Sequence, residues 1–165
     1  GVGVRRKGPI KIYSVGLYGN STARESIKDL SASSNKEDAF EELRSKVKSN
    51  PPTTFLLKMN FKVGAEKMAS AIADSVAPRH SGDSNEVDNL KKLIFEGISE
   101  KGAATKGTTF QFDCSNDKIS VSVDGVDQGS VESSGLSQAF CDVYLDKNSV
   151  SNALKESCLN NCGKP

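Results

Sequence analysis

The chain has no tryptophan, two methionines, a single histidine and an aromatic content of only 6%. Its basic and acidic residues nearly cancel, 22 against 21, for a formal net charge of +1. Each scarcity closes off a class of function. A charge balance this even, without a basic stripe carrying interleaved aromatics, removes the electrostatic footprint of a nucleic-acid binder. No apolar run approaches the roughly 20 residues that span a bilayer. One histidine cannot build a multi-imidazole metal centre. His80, placed after Pro78-Arg79 and before the polar stretch 81–85, reads as a surface residue more than as the base of a triad. No nucleophile elbow, phosphate-cradling loop or zinc-protease helix motif occurs. Gly1-x-Gly3 lacks the preceding strand and third glycine of a dinucleotide site, so no cofactor is expected.

Four cysteines are present, at 114, 141, 158 and 162. Their expected state is reduced, partly buried thiol. Cys158 and Cys162 lie four apart on a predicted helix, which leaves a disulfide or two metal ligands as alternatives. No second pair at zinc spacing completes a metal site. At 165 residues the chain can bury a core without staples. It reads as one domain over 1–165, open to truncation at its N-terminus, since it begins in mid-motif without an initiator methionine. No presequence is visible, which leaves the compartment undetermined, plastid or cytoplasm.

Period and punctuation outline the elements. Residues 10–17 read as a strand. Residues 21–49 read as polar helix broken near 31–35, with Phe40, Leu43 and Val47 on one face and Pro51-Pro52 as the stop. Asn20-Ser21-Thr22 matches a glycosylation sequon but reads better as a helix start capped by Ser21 or Thr22. Residues 53–62 alternate, with Phe55, Leu57, Met59 and Phe61 on one face of a strand. Helices follow at 64–76 (Met68, Ile72, Val76) and at 87–102, with Asp83 or Ser84 as the second one's cap. Strands are expected at 108–113, 118–124 and 126–131, turning at Asn116-Asp117 and Asp124-Gly125. Helices at 136–144 and 150–162 close the chain. The first of these carries Leu136, Ala139, Phe140, Val143 and Tyr144 on one stripe, for packing on a sheet. Helices lie between and after the strands, which argues for an α+β fold: an antiparallel sheet packed against a layer of helices, an open-faced sandwich.

The opening nineteen residues, GVGVRRKGPIKIYSVGLYG, carry the functional signal. Arg5 and Tyr13 are eight apart and share a face if the segment is one extended run. A guanidinium beside a phenol on the inner side of a sheet makes a poor core and a good anion receptor. The register is sensitive at Gly8-Pro9, where a shift of one residue would bring Arg6 inward instead.

This opening segment resembles that of the chalcone isomerase-like superfamily, where a glycine-rich element with an arginine leads into a strand ending in Gly-hydrophobic-Tyr: here Gly1, Gly3 and Arg5, then Gly16-Leu17-Tyr18. LLKMNFKVGAEKMASAIADSV, KGTTFQFDCSNDKISVSVDG and SSGLSQAFCDVYLDKNSVSNALKES resemble its strand and helix, its hairpin and its closing helix, in the same order. In the catalytic branch, which closes a chalcone to a flavanone, the resemblance implies a strand Arg, a strand Thr, a helix Tyr and Asn, and a late Thr or Ser. The branch that binds fatty acids keeps the Arg and sets a strand Tyr beside it. In this chain the Arg corresponds to Arg5 and the strand Thr to Tyr13. The helix Tyr falls near Gly64, the Asn near Ala71 and the late Thr near Val143, and no Tyr or Asn occurs anywhere in 62–77.

The resulting expectation is a non-catalytic member whose partner is a fatty acid or similar amphipathic carboxylate. Arg5 and Tyr13 hold the head group, and Met59, Phe61, Met68, Ile72, Phe110 and Phe140 line a slot for the tail. The alternatives are an intramolecular lyase of chalcone isomerase type and a scaffold that binds no ligand. Oligomeric state is left open.

Overall fold

The computed structural model describes residues 1–30, 35–162 and 164. Strands β1 (Val2–Lys7) and β2 (Ile10–Gly19) form an opening hairpin, followed by helices α1 (Ser21–Ile27) and α2 (Lys36–Ser49). Strand β3 (Thr53–Met59) leads through the short β4 (Val63–Gly64) into α3 (Ala65–Val76) and α4 (Ser84–Ile98). The short β5 (Ala103–Ala104) pairs with β4. Then come β6 (Thr109–Cys114), β7 (Lys118–Val123), β8 (Val126–Glu132), α5 (Ser134–Leu145) and α6 (Asn152–Asn161). The main sheet is antiparallel throughout, in the order β1-β2-β3-β6-β7-β8.

The pleat sorts the sheet into two faces. Val15, Leu17, Phe55, Leu57, Phe110, Phe112, Ile119, Val121 and Val123 are buried beneath the helices, whereas the intervening Lys58, Gln111 and Lys118 are exposed. Registry stacks these into continuous apolar rows, one of which runs Val15, Leu57, Phe110, Val123. The open-faced α+β sandwich expected from the sequence is what forms. From α5, Phe140 places its ring 4.5 Å from Phe112 and 5.5 Å from Phe55, centroid to centroid.

Four local expectations change. The first strand is not one run: Gly8 sits at φ +58° and turns the chain, so residues 1–19 fold into a hairpin. The cap of α1 is Asn20, whose side chain accepts from the Ala23 N–H at 2.8 Å, and neither Ser21 nor Thr22 takes that role. Asp83 caps α4 as expected. Of the expected break at 31–35, residues 31–34 lie outside the described residues; Asn35 caps α2 through the Glu37 and Asp38 amides. Strand β3 stops at Met59. Asn60 and Phe61 both turn their amides onto the Ile12 carbonyl, at 2.9 and 3.2 Å, so the alternation ends and Phe61 is 49% exposed. The His80 side chain is turned inward, away from the expected surface placement: it is 2% exposed, and its Nε2 lies 2.9 Å from Glu86 Oε2. The four cysteines are buried free thiols.

Helix α6 fastens the edge strand. The Val2 and Val4 amides, which β2 does not use, donate to Ser157 Oγ (2.9 Å) and Ser151 Oγ (3.1 Å). This satisfies an edge that would otherwise offer free donors. Gly3 permits the approach: a Cβ there would stand 2.6 Å from the Leu154 backbone nitrogen. The Gly-x-Gly spacing thus serves close packing of helix on strand.

Candidate functional site

The hairpin makes Arg5 and Tyr13 neighbours by a different route from the one expected. They are directly opposite each other across β1 and β2, and directly opposite residues of an antiparallel pair project from the same face. Gly3, two positions before Arg5 with no bulge between, faces α6, so Arg5 also faces the helix layer. The register irregularity falls after Arg5. It leaves Arg6 exposed, its guanidinium reaching the Pro9 carbonyl at 3.5 Å. Arg5, not Arg6, is therefore the inward residue. Tyr13 in turn pairs with Met59 of β3, so Arg5, Tyr13 and Met59 form one cross-strand row at the end of the apolar face.

Sequence reasoning missed the third polar member. Tyr144, near the end of α5, places its hydroxyl 3.0 Å from the Tyr13 hydroxyl, and both side chains are buried. Its ring stacks on Phe55 at 5.0 Å. The stripe of α5 signalled that Tyr144 faces the sheet, but no local pattern foretells a partner 131 residues away. Within this pair one phenol donates and the other accepts. The accepting phenol keeps its own hydrogen, for which no acceptor exists among the described residues. The Arg5 guanidinium likewise makes no hydrogen bond or ion pair among the described residues.

Electrostatics keeps the phenols in their donor form. Burial raises the Tyr13 pKa above its ordinary value, with the Tyr144 hydrogen bond and the Arg5 charge pulling back. Burial pushes Tyr144 well above the usual phenol range, with Tyr13 adding to the rise and Arg5 opposing it. At neutral pH the site therefore presents one fixed cation and a protonated hydroxyl pair. It suits a negatively charged oxygen.

Five of the six expected slot residues converge in the core between sheet and helices: Met59, Met68, Ile72, Phe110 and Phe140, each no more than 5% exposed. Phe61 is not among them. The stretch where the catalytic branch would need a Tyr and an Asn runs from Gly64, at the end of β4, to Ala71 in α3. The buried positions of α3 are Ala65, Met68, Ala69, Ile72, Ala73 and Val76, with no polar side chain. Among the described residues no group of three or more His, Cys, Asp or Glu side chains is placed to hold a metal, and no helix is long and apolar enough to cross a membrane.

The family model described as chalcone isomerase-like matches residues 1–160. The chain belongs to the chalcone isomerase-like family. No curated protein matches it. Among solved structures, a fatty-acid-binding protein from Arabidopsis thaliana superposes with a TM-score of 0.74 at 20% identity, covering 99% of this chain and 86% of that one. The chalcone isomerase-like fold is thus shared over essentially the whole chain.

Proposed function

We propose that this member of the chalcone isomerase-like family binds a fatty acid or a similar amphipathic carboxylate. Arg5 and Tyr13 meet the head group, and the tail lies among Met59, Met68, Ile72, Phe110 and Phe140. The observation that carries the reading is the pair of donors on the inner face of the sheet left uncompensated among the described residues: a guanidinium without an ion pair there, opposite a phenol network with a hydrogen to spare. A carboxylate satisfies both, through charge-assisted hydrogen bonds of the kind arginine forks make. A neighbour of the same fold being titled a fatty-acid-binding protein supports the reading.

Magnitudes show why the head group matters. Burying about eleven methylenes at ~0.8 kcal/mol each yields roughly 9 kcal/mol. Association opposes this with about 4–15 kcal/mol. The tail alone only breaks even, so the surplus must come from the carboxylate contacts. The slot residues are closely packed, so the tail has to displace side chains. The chain's two methionines, Met59 and Met68, are both in this core. Their unbranched thioethers re-pack at low cost, which suits a slot that opens on demand.

The apolar inner side of α3 favours binding over cyclisation. Chalcone closure needs donors positioned for an attacking phenolate and a developing enolate, and the buried positions of α3 offer none. The test is native mass spectrometry of the purified full chain with lipid extraction, joined to thermal unfolding with added laurate or palmitate. A co-purifying acyl carboxylate, or a melting temperature that climbs with laurate concentration as binding to the folded state requires, is the expected result. No acyl ligand together with no thermal shift would remove the reading.

A further inference from the structure

The net charge of +1 hides a segregation. Neither 1–24 nor 50–65 contains an Asp or a Glu. The fold brings parts of both stretches to one end of the sheet, the end that carries the Arg5, Tyr13 and Met59 row. The turn at Gly8-Pro9 projects there. Beside it, the Asn60 and Phe61 amides meet the Ile12 carbonyl. On the other side, Met59 donates its amide to the Thr108 carbonyl and accepts from the Gly107 amide, both at 2.9 Å, which sets the loop at 105–108 alongside.

Arg6, Lys7, Lys11, Lys62 and Lys106 are all exposed on this tip. None of them forms an ion pair among the described residues. The acidic side chains at this end stand on other elements. Glu66 is engaged by Lys91 at 2.7 Å and Asp124 by Lys101 at 3.1 Å. Glu100 follows α4, and Asp127 lies on β8, at the opposite edge of the sheet from β1. Two large apolar side chains share the tip with the cations: Ile10 is 42% exposed and Phe61 49%. Pro9, next to Ile10, is exposed as well. Solubility accounts for the cations. It does not account for the apolar pair in their midst.

We propose that this tip docks on an anionic lipid surface. Pro9, Ile10 and Phe61 enter the headgroup layer, and Arg6, Lys7, Lys11, Lys62 and Lys106 meet the lipid phosphates and carboxylates. Apolar side chains ringed by unpaired cations are the composition that interfacial binding uses. A single-stranded nucleic acid fits less well, since it stacks on aromatic platforms and Phe61 is the tip's one exposed aromatic. The docking rests on the tip alone. One consequence rests on the fatty-acid reading: a carboxylate leaving the bilayer would arrive at the end of the sheet where Arg5 and Tyr13 stand.

Sedimentation of the full chain with phosphatidylcholine vesicles, with and without about 30% phosphatidylserine, tests this with no fatty acid present. Binding at least about tenfold tighter to the anionic vesicles is expected, and it should fade as salt rises from about 0.1 to about 0.5 M. Each cation near such a surface contributes roughly fivefold, so the double variant Lys7→Gln, Lys11→Gln should bind about twentyfold more weakly. Lys118→Gln removes an equally exposed cation at the far end of the sheet and should bind as the wild type does. The double variant Ile10→Ser, Phe61→Ser should lose about tenfold. No preference for anionic vesicles, undiminished binding by the lysine variant, or an equal loss in Lys118→Gln overturns the proposal. Vesicle binding that survives the loss of Ile10 and Phe61, with single-stranded DNA bound as tightly, would make the tip a general reader of polyanions and overturns it too. The lysine variant decides the matter even if the apolar one fails to fold. Since no fatty acid is added, failure here leaves the laurate result standing on its own.

Discussion

Arg5→Met is expected to weaken laurate binding by roughly ten- to a hundredfold while leaving the melting temperature close to that of the wild type. A hydrogen bond to a charged group contributes about 1.5–3 kcal/mol, and each ~1.4 kcal/mol is a factor of ten in affinity. The unliganded protein has little to lose, because Arg5 is half-buried and holds no hydrogen-bond or ion-pair partner among the described residues. Methionine keeps an apolar stem at the position opposite Tyr13. Tyr13 is the poorer probe, since removing its hydroxyl strands that of Tyr144 in the core. Titration calorimetry of laurate into both proteins, alongside their thermal melts, checks the result. Equal affinities would take Arg5 out of the site. A collapsed melting temperature would show that Arg5 is structural.

Phe140→Ala is expected to produce the largest loss of stability, about 3–5 kcal/mol, in the range of large aromatic truncations in packed cores. In a chain of this length that lowers the melting temperature by on the order of 10 °C. The ring is fully buried among Phe55, Phe112 and Tyr144, with centroid distances of 4.5 to 5.7 Å. The same measurement judges how the slot exists. If the tail enters by displacing side chains, Phe140 is core in the free protein and the loss is large. A loss under about 1 kcal/mol would mean that the ring borders a ready-made space, since a residue that packs little costs little to truncate. Urea unfolding of the two proteins gives the figure directly.

The sheet was readable because burial on one face imposes period two, and β3, β6 and β7 show it plainly in Phe55, Leu57, Met59, Phe110, Phe112, Ile119 and Val121. The same rule misled at Phe61. The sequence continues to alternate there, but the backbone has left the sheet and folded two amides onto one carbonyl. Gly8-Pro9 carried the opposite error. It is an ordinary turn signal, and giving it full weight would have produced the hairpin. Arg5 and Tyr13 still share a face because eight positions along one strand and direct opposition across two lead to the same side. Tyr144 was beyond reach for a different reason. Its role depends on a hydroxyl contributed by the opposite end of the chain, and only tertiary packing makes that contact. His80 shows a similar limit, since Gly135, far along the chain, packs beside its ring together with the nearby Gly82 and Glu86.

The central claim is that the site reads a carboxylate, with the chain of methylenes as ballast. Parallel titrations of laurate and 1-dodecanol into the wild-type protein test it most directly, since the two ligands share their tail and differ in the head group. Saturable laurate binding with dodecanol weaker by about tenfold or more is the predicted result, matching the loss of charge-assisted hydrogen bonds. Equal affinities for the acid and the alcohol, or no saturable binding of laurate, would contradict the account.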